Sequence, residues 1–408
     1  MEPKIELRLL DYKLKIISVK KPSIHKLMFA IVKIAFTNKT KCSFFSFTET
    51  NDDYSIVVDH HGFEELLPFT NDADITLSHS DWIPMHLSGE DLQRGISKIA
   101  KYLILPLADW KISIMAISMY QCDYILIKEE DYETVIECLS AHIPKIYDES
   151  QEPEIVFTKQ NGKAHYNIKK VHKTNRRLLR KQSVSDESRQ HKITLPLLIP
   201  DTIEYCITGL YNMDTFFLII PTLIGIMFYE TDEYENNEIF FNFTKKEFDI
   251  SLVMETRLLK KFPHGILLNI ENDYWKLIRI GQLPVGFEVF GVVASISQPL
   301  EIGNIDEYYI SSYHTGYCFI PSDDLDLAKQ LFVQKDAKFV TSNKTCFVEV
   351  KVNSFLNGID SEEEINNLTS QENYFETRFP DQIESCENGN RTIDESLDEL
   401  DKIENGIV

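Results

Sequence analysis

The feature that most constrains this chain is an internal repeat at a spacing of about 195 residues. Phe44-Phe45-Ser46-Phe47-Thr48, followed by Asp53-Tyr54 and Val57-Val58-Asp59, returns as Phe240-Phe241-Asn242-Phe243-Thr244, then Glu247-Phe248 and Leu252-Val253-Met254-Glu255. A second set keeps strict register. Pro106-Leu107, Ile117-Ser118, Tyr120, Tyr124 and Ile127 recur 193 residues on, at Pro299-Leu300, Ile310-Ser311, Tyr313, Tyr317 and Ile320. The chain is two related halves, each holding two kinds of module, and seams between duplicated modules are where small ligands tend to bind.

At 408 residues, 43% hydrophobic and 26% charged, the chain has length for two to four domains with cores of their own. Charges interrupt the start (Met1-Glu2-Pro3-Lys4), so no leader is expected. The most apolar stretch, Thr215 to Tyr229, is short for a bilayer and reads as a buried or interface helix. Seven scattered cysteines without C-x-x-C fit reduced thiols, hence neither a disulfide frame nor a zinc site, and His60-His61 reads as a solvated pair rather than a metal site. No cofactor is expected, and the cytosol is the expected compartment.

The net charge of −22 is unevenly spread. Lys159 to Lys192 carries eleven Lys or Arg against two acids, and Asp360 to Val408 carries fifteen acids against three bases. The basic run has Tyr166 as its one aromatic, which argues against a nucleic-acid platform and for a solvated linker. The acidic tail has too few apolar residues for a further module.

Hydrophobic periodicity predicts an α+β chain of four tandem ferredoxin-like βαββαβ modules in two pseudo-symmetric halves. Module 1 spans 1–72, module 2 spans 73–145, a basic flexible linker 146–192, module 3 spans 193–263, module 4 spans 264–357, and an acidic disordered tail 358–408. Module 1 opens with a strand over Ile5 to Val19, and Ser23 caps a helix from Ile24 to Phe36. A hairpin follows, Cys42 to Thr48 and Tyr54 to Val58. Module 2 has a helix from Leu92 to Ala108 and a hairpin whose tip, Tyr120-Gln121-Cys122-Asp123, is expected to be exposed. Module 3 opens with Ile193 to Ile199, and Thr202 to Tyr229 is its helical part. In module 4, Gly291 opens a helix.

No phosphate loop, dinucleotide fingerprint, H-E-x-x-H or nucleophile elbow is present, so catalysis is not expected. A binding site is easier to argue. Gly286-Phe287-Glu288-Val289-Phe290-Gly291-Val292-Val293 has glycines that admit close backbone approach before a helix whose first N–H groups suit a carboxylate. The same glycines could serve only the turn.

Through Phe44 to Thr50, Asp53-Tyr54, Val58-Asp59, Gly62-Phe63, Lys98-Ile99-Ala100, Pro106-Leu107-Ala108, Tyr120-Gln121, Lys260-Lys261-Phe262-Pro263, Arg279-Ile280-Gly281 and Gly286-Phe287, the sequence resembles the CASTOR family of cytosolic arginine sensors of the TOR complex 1 pathway. The resemblance covers roughly residues 5 to 352. It implies four ACT-like modules without catalytic activity, arginine bound between the second and fourth, and inhibition of a GATOR-type regulatory complex by the unliganded protein. Carried over by motif, Ser113 and Ile114 contribute to the ligand site from module 2. Gly286, Phe287, Glu288, Gly291, Val292, Val293, Ser312 and Tyr313 contribute from module 4. Tyr120, Gln121 and Asp123 match the partner surface, and Ile224 and Tyr229 the segment through which the family forms a homodimer. Val289 and Gly316 stand where the family carries acids, so weak or no arginine binding is expected and a neutral amino acid is the other candidate. A ligand-blind inhibitor with the same partner surface, or a regulatory ACT subunit of an amino-acid metabolic enzyme, are the alternatives left open.

Overall fold

The computed structural model describes residues 5–89, 95–151, 154–160, 163–166, 191–200, 203–229, 239–247, 249–268, 273–281, 287, 289–334, 339–342 and 345–354. Strand β1 (Ile5–Leu9) is followed by β2 (Leu14–Lys20), helix α1 (Ile24–Phe36), β3 (Phe44–Glu49), β4 (Asp53–Asp59), α2 (His60–Leu66) and β5 (Ile75–Leu77). Antiparallel ladders give the order β5-β2-β4-β3, the ferredoxin-like arrangement in which the first and third strands lie at the centre. Asp59 caps α2 by accepting from the Gly62 N–H, and His60 and His61 are exposed at its start, as expected.

The second unit has β6 (Trp82–Gly89), a helical stretch α3 (residues 96–109) with a π-helical middle (Ala100–Ile104), β7 (Ile114–Ser118), β8 (Asp123–Lys128), α4 (Tyr132–Leu139) and β9 (Lys145–Asp148). The helix expected from Leu92 thus begins at Ile96; residues 90–94 lie outside the described ones. The segment 146–192, expected as a linker, extends the sheet through β10 (Ile155–Gln160) and β11 (Lys163–Tyr166). Its residues 167–190, like the acidic tail, lie outside the described residues.

The second half supplies β12 (His191–Pro200), β13 (Tyr205–Gly209), α5 (Phe216–Tyr229), β14 (Phe241–Lys246), β15 (Asp249–Glu255) and β16 (Trp275–Ile280). It continues with β17 (Val289–Phe290), α6 (Val292–Ile302), β18 (Tyr308–Ser311), β19 (Gly316–Pro321), α7 (Leu325–Gln334), β20 (Phe339–Ser342) and β21 (Thr345–Ser354).

Three further expectations are corrected. The stretch Ile5 to Val19 is not one strand: it bends at Asp11-Tyr12, and β1 leaves the first unit to lie between β6 and β9 of the second. Its counterpart β12 does the same, lying between β16 and β21 of the fourth unit rather than opening the third. The third unit's first strand is β13, inside the stretch expected to be helical, and its order is β13-β15-β14. A lead strand donated to a neighbouring unit has the same side-chain alternation as one kept at home, so alternation alone does not reveal it.

Edge strands join the units in pairs. β3 pairs with β14, Phe47 opposite Phe243, and β7 meets β18 at Ile117 and Ile310. Both pairs join repeat equivalents, so a pseudo-twofold axis passes through each. The result is two long sheets, the first order β5-β2-β4-β3-β14-β15-β13, the second running β9-β1-β6-β8-β7-β18-β19-β16-β12-β21 at its centre. They touch at matching corners, Leu14 with Trp82 and Tyr205 with Trp275.

The aromatic repeat now has a physical cause. Phe45, Phe47, Phe241 and Phe243 bury against α1 and α5 on one face of the first sheet. Phe44 and Phe240 turn to the other face, into two clusters that mix residues of both sheets, such as Leu14 and Val57 with Met115 and Ile117, or Tyr205 and Val253 with Leu277 and Tyr317. Both faces are covered, so β3 and β4 are buried at every position, and polar residues among them are hydrogen-bonded: Ser46 Oγ lies 2.7 Å from Thr244 Oγ1, and the Asn242 amide donates to Thr48 Oγ1 at 3.0 Å. No helix among the described residues is long and apolar enough to cross a membrane.

Candidate functional site

The seam between the second and fourth units is built by reciprocal hydrogen bonds around the Ile117 and Ile310 pair. The Ala116 N–H donates to Ser311 Oγ at 2.9 Å, and the Tyr309 N–H donates to Ser118 Oγ at 3.0 Å. The sequence repeat contains both serines, yet spacing does not reveal that each replaces a missing strand-to-strand hydrogen bond in its partner.

On one side of this axis the ligand residues suggested by the resemblance divide into two groups. Ser113, just before β7, donates from Oγ to the Val289 carbonyl at 3.1 Å, tying the second unit to the approach to α6. Gly291 caps α6 in the left-handed region at φ 78°, which favours glycine, and Ile114, Val292 and Val293 join the helix-side core. Phe287 and Tyr313 instead lie between the sheets: the Phe287 ring packs edge-on against Trp82 at 5.1 Å and against Tyr313 at 4.8 Å. Ser312 folds the β18–β19 turn by donating from Oγ to Thr315 O at 2.9 Å. Gly286 and Glu288 lie outside the described residues.

The β7–β8 tip is docked, which corrects the expectation of an exposed turn. The Tyr120 N–H donates to Ser251 Oγ at 3.1 Å, and its ring joins the inter-sheet cluster, where any side chain at Gly209 would meet it. The Asp123 carboxylate accepts from the Gly95 N–H at 3.0 Å, at the start of α3. Gln121 alone of Tyr120, Gln121 and Asp123 is exposed. The β18–β19 tip mirrors this. The Tyr313 N–H donates to Ser55 Oγ at 2.9 Å, and His314 Nε2 stands 3.7 Å from Asp53 Oδ2. Each half's second hairpin therefore clamps the other half's first unit, through Ser251 on β15 and Ser55 on β4. Neither clamp is visible in local sequence, because the partners are 131 and 258 residues away.

A buried acid was also not legible. Glu307, 2% exposed beside the exposed Asp306, accepts from Ser297 Oγ at 3.1 Å and from the Cys318 thiol, while its second carboxylate oxygen has no partner among the described residues. Burial pushes its pKa up to about 8; the Ser297 and Cys318 hydrogen bonds oppose the rise and nearby Asp123 adds to it.

On the outer helical face, Ile224 is half-buried in α5 while Tyr229 is 63% exposed, and Phe29 of α1 is 81% exposed. The Tyr229 hydroxyl lies 3.6 Å from Met28 Sδ. Both helices that cover the first sheet thus leave an aromatic ring exposed.

Family models match along the chain. Residues 13–71 match the N-terminal domain of cytosolic arginine sensor for mTORC1 subunit 1. Residues 195–271 match the ACT-like domain of subunits 1 and 2, and residues 77–141 and 270–332 match an ACT domain. The human cytosolic arginine sensor for mTORC1 subunit 1 is 30% identical over 341 residues, covering 79% of this chain and 95% of that protein. The mouse protein of the same name is 29% identical over 340 residues, covering 79% and 94%. Among solved structures, aspartate kinase from Synechocystis aligns with a TM-score of 0.26 and 13% identity, covering 81% of this chain and 55% of that one.

Proposed function

The chain belongs to the CASTOR family, the cytosolic arginine sensors for mTORC1, and from that membership we propose that it is a non-enzymatic, amino-acid-responsive regulator of TOR complex 1 signalling. It is built of four tandem ACT-like modules, with β1 and β12 lying in the sheets of the second and fourth. It acts in the cytosol as a homodimer through the face around Ile224 and Tyr229, and when unliganded it holds a GATOR-type complex through the hairpin of Tyr120, Gln121 and Asp123.

The observation that carries this reading is the coupling of the seam to the hairpin within one strand pair. β7 begins with the Ser113 link to Val289, crosses the axis at Ile117, and ends in the Tyr120 turn clamped on Ser251. An amino acid held at the start of α6, with its carboxylate toward the helix N–H groups, strains or relieves the same strand that positions the partner face. The ligand then has different affinities for two arrangements of the hairpin, and linkage makes partner binding and ligand binding reciprocal.

The test is capture of the purified GATOR-type complex by the full chain, with and without a mixture of the twenty amino acids. Capture in amino-acid-free buffer and at least fivefold less with amino acids is expected. Gln121→Arg, an exposed position, is expected to lose capture while keeping the thermal midpoint within about 2 °C, since surface substitutions away from buried features stay within about 0.5 kcal/mol. Undiminished capture by this variant rejects the hairpin assignment.

A further inference from the structure

We propose that Tyr309 sets the ligand class of the seam, restricting it to an α-amino acid with a short uncharged side chain. The inference rests on the seam being an amino-acid site, and it comes from comparing the two sides of the pseudo-twofold axis. Ala116 and Tyr309 are equivalent, as are Asp123 and Gly316, because each pair has the same separation as the axis residues Ile117 and Ile310.

On one side a small residue and an acid occur together. Ala116 leaves room in β7, and the Asp123 carboxylate at the start of β8 reaches the Gly95 N–H ahead of α3. The other side exchanges the sizes. Gly316 begins β19 with no side chain, and the fully buried Tyr309 ring fills the place. A Cβ at Gly316 would overlap the Tyr309 hydroxyl and stand 3.0 Å from Cζ and 3.2 Å from the Ile280 Cδ1. The space that holds a carboxylate in one copy holds a neutral phenol in the other.

Two consequences follow for a ligand whose carboxylate faces the start of α6. A long side chain directed at Gly316 meets the Tyr309 ring, so depth is limited. A guanidinium or ammonium brought there meets the Tyr309 phenol, which burial keeps protonated. The buried acid just before β18, Glu307, accepts from Ser297 and Cys318 through one carboxylate oxygen, and burial pushes its pKa up to about 8, so it too is mostly neutral at pH 7. A desolvated cation facing a neutral partner is disfavoured, whereas a methyl, hydroxymethyl or isopropyl side chain leaves no charge to compensate.

Calorimetric titration of the full chain with L-alanine, L-serine, L-valine and L-arginine tests this. The unmodified chain is expected to bind at least one of the three neutral amino acids a hundredfold or more tighter than arginine. Combining Tyr309→Ala with Gly316→Asp is expected to raise arginine affinity at least a hundredfold. As that variant alters a packed core, a milder pair provides an independent test. Gly316→Ala is expected to weaken neutral amino-acid binding tenfold or more in the Tyr309 chain, and the loss to shrink at least threefold when Tyr309→Phe removes the obstructing hydroxyl. Arginine binding the unmodified chain as tightly as the neutral amino acids overturns the role of Tyr309 and leaves the seam site standing. An equal loss in both backgrounds also overturns it, and binding of none of the four amino acids to any of these proteins overturns both readings.

Discussion

Phe243→Ala is expected to remove about 3–5 kcal/mol of folding stability, a large share of the roughly 5–15 kcal/mol available to a domain. The ring is fully buried opposite Phe47 at the axis where β3 joins β14. It stacks on Phe36 at 5.6 Å and on Phe216 at 6.3 Å, and tilts against Phe45 at 6.0 Å. Truncation leaves a cavity shared by α1, α5 and both edge strands, and the surrounding rings are held by their own neighbours, so the cavity cannot collapse. Phe47→Ala empties the same space from the other side, so the double variant is expected to lose less than the sum of the singles. Urea unfolding, read at its midpoint with an unchanged slope, measures this; a loss under about 1 kcal/mol contradicts the importance of the axis contact.

Glu307→Gln is expected to change how stability depends on pH. The folded-state pKa is raised to about 8 from an ordinary 4.5. Below the unfolded value both states hold the proton, and the buried neutral acid costs nothing extra. As pH rises above it, the unfolded chain releases the proton and the folded chain keeps it, so stability falls with a slope approaching about 1.4 kcal/mol per pH unit until the folded pKa is passed. Between about pH 5 and pH 8 the unmodified chain therefore loses stability that the glutamine variant retains, and at pH 8 the variant is expected to be the more stable by at least about 1.4 kcal/mol relative to their difference at pH 5. Parallel urea titrations at pH 5, 6, 7 and 8 measure the difference. Curves that run parallel contradict a buried, proton-retaining Glu307.

The repeat made the pseudo-symmetry legible because Phe44 to Thr48 and its copy hold equivalent places at the first axis, with Phe45, Phe47, Phe241 and Phe243 in one core and Ser46, Thr48, Asn242 and Thr244 hydrogen-bonded across it. The register of Ile117-Ser118 and Ile310-Ser311 likewise marked the strands that meet at the second axis. What escaped was everything decided by a distant partner. β1 and β12 alternate like any strand, and only the packed structure shows that they insert into a neighbouring unit's sheet. Tyr120 looked like the exposed tip of a polar turn because the surfaces that receive it, Gly209 and Ser251, lie far along the chain. Nothing in the sequence Asp306-Glu307 distinguishes one acid from the other. Yet adjacent residues of an extended chain face opposite ways, and one is 2% exposed while the other is not buried. For the seam, the left-handed Gly291 before a helix was readable from its neighbours, whereas the exchange of Ala116 and Asp123 for Tyr309 and Gly316 became interpretable only once the axis was fixed.

The seam and the hairpin are claimed to be one responsive element, and amide hydrogen exchange of the full chain, with and without a mixture of the twenty amino acids, tests that claim most directly. The expected result is added protection confined to residues 113–123 and 289–316, with the outer strands β5 and β10 unchanged, because the ligand orders the strand pair that crosses the axis. Protection that appears elsewhere in the chain, or none at all in these two segments, contradicts the account.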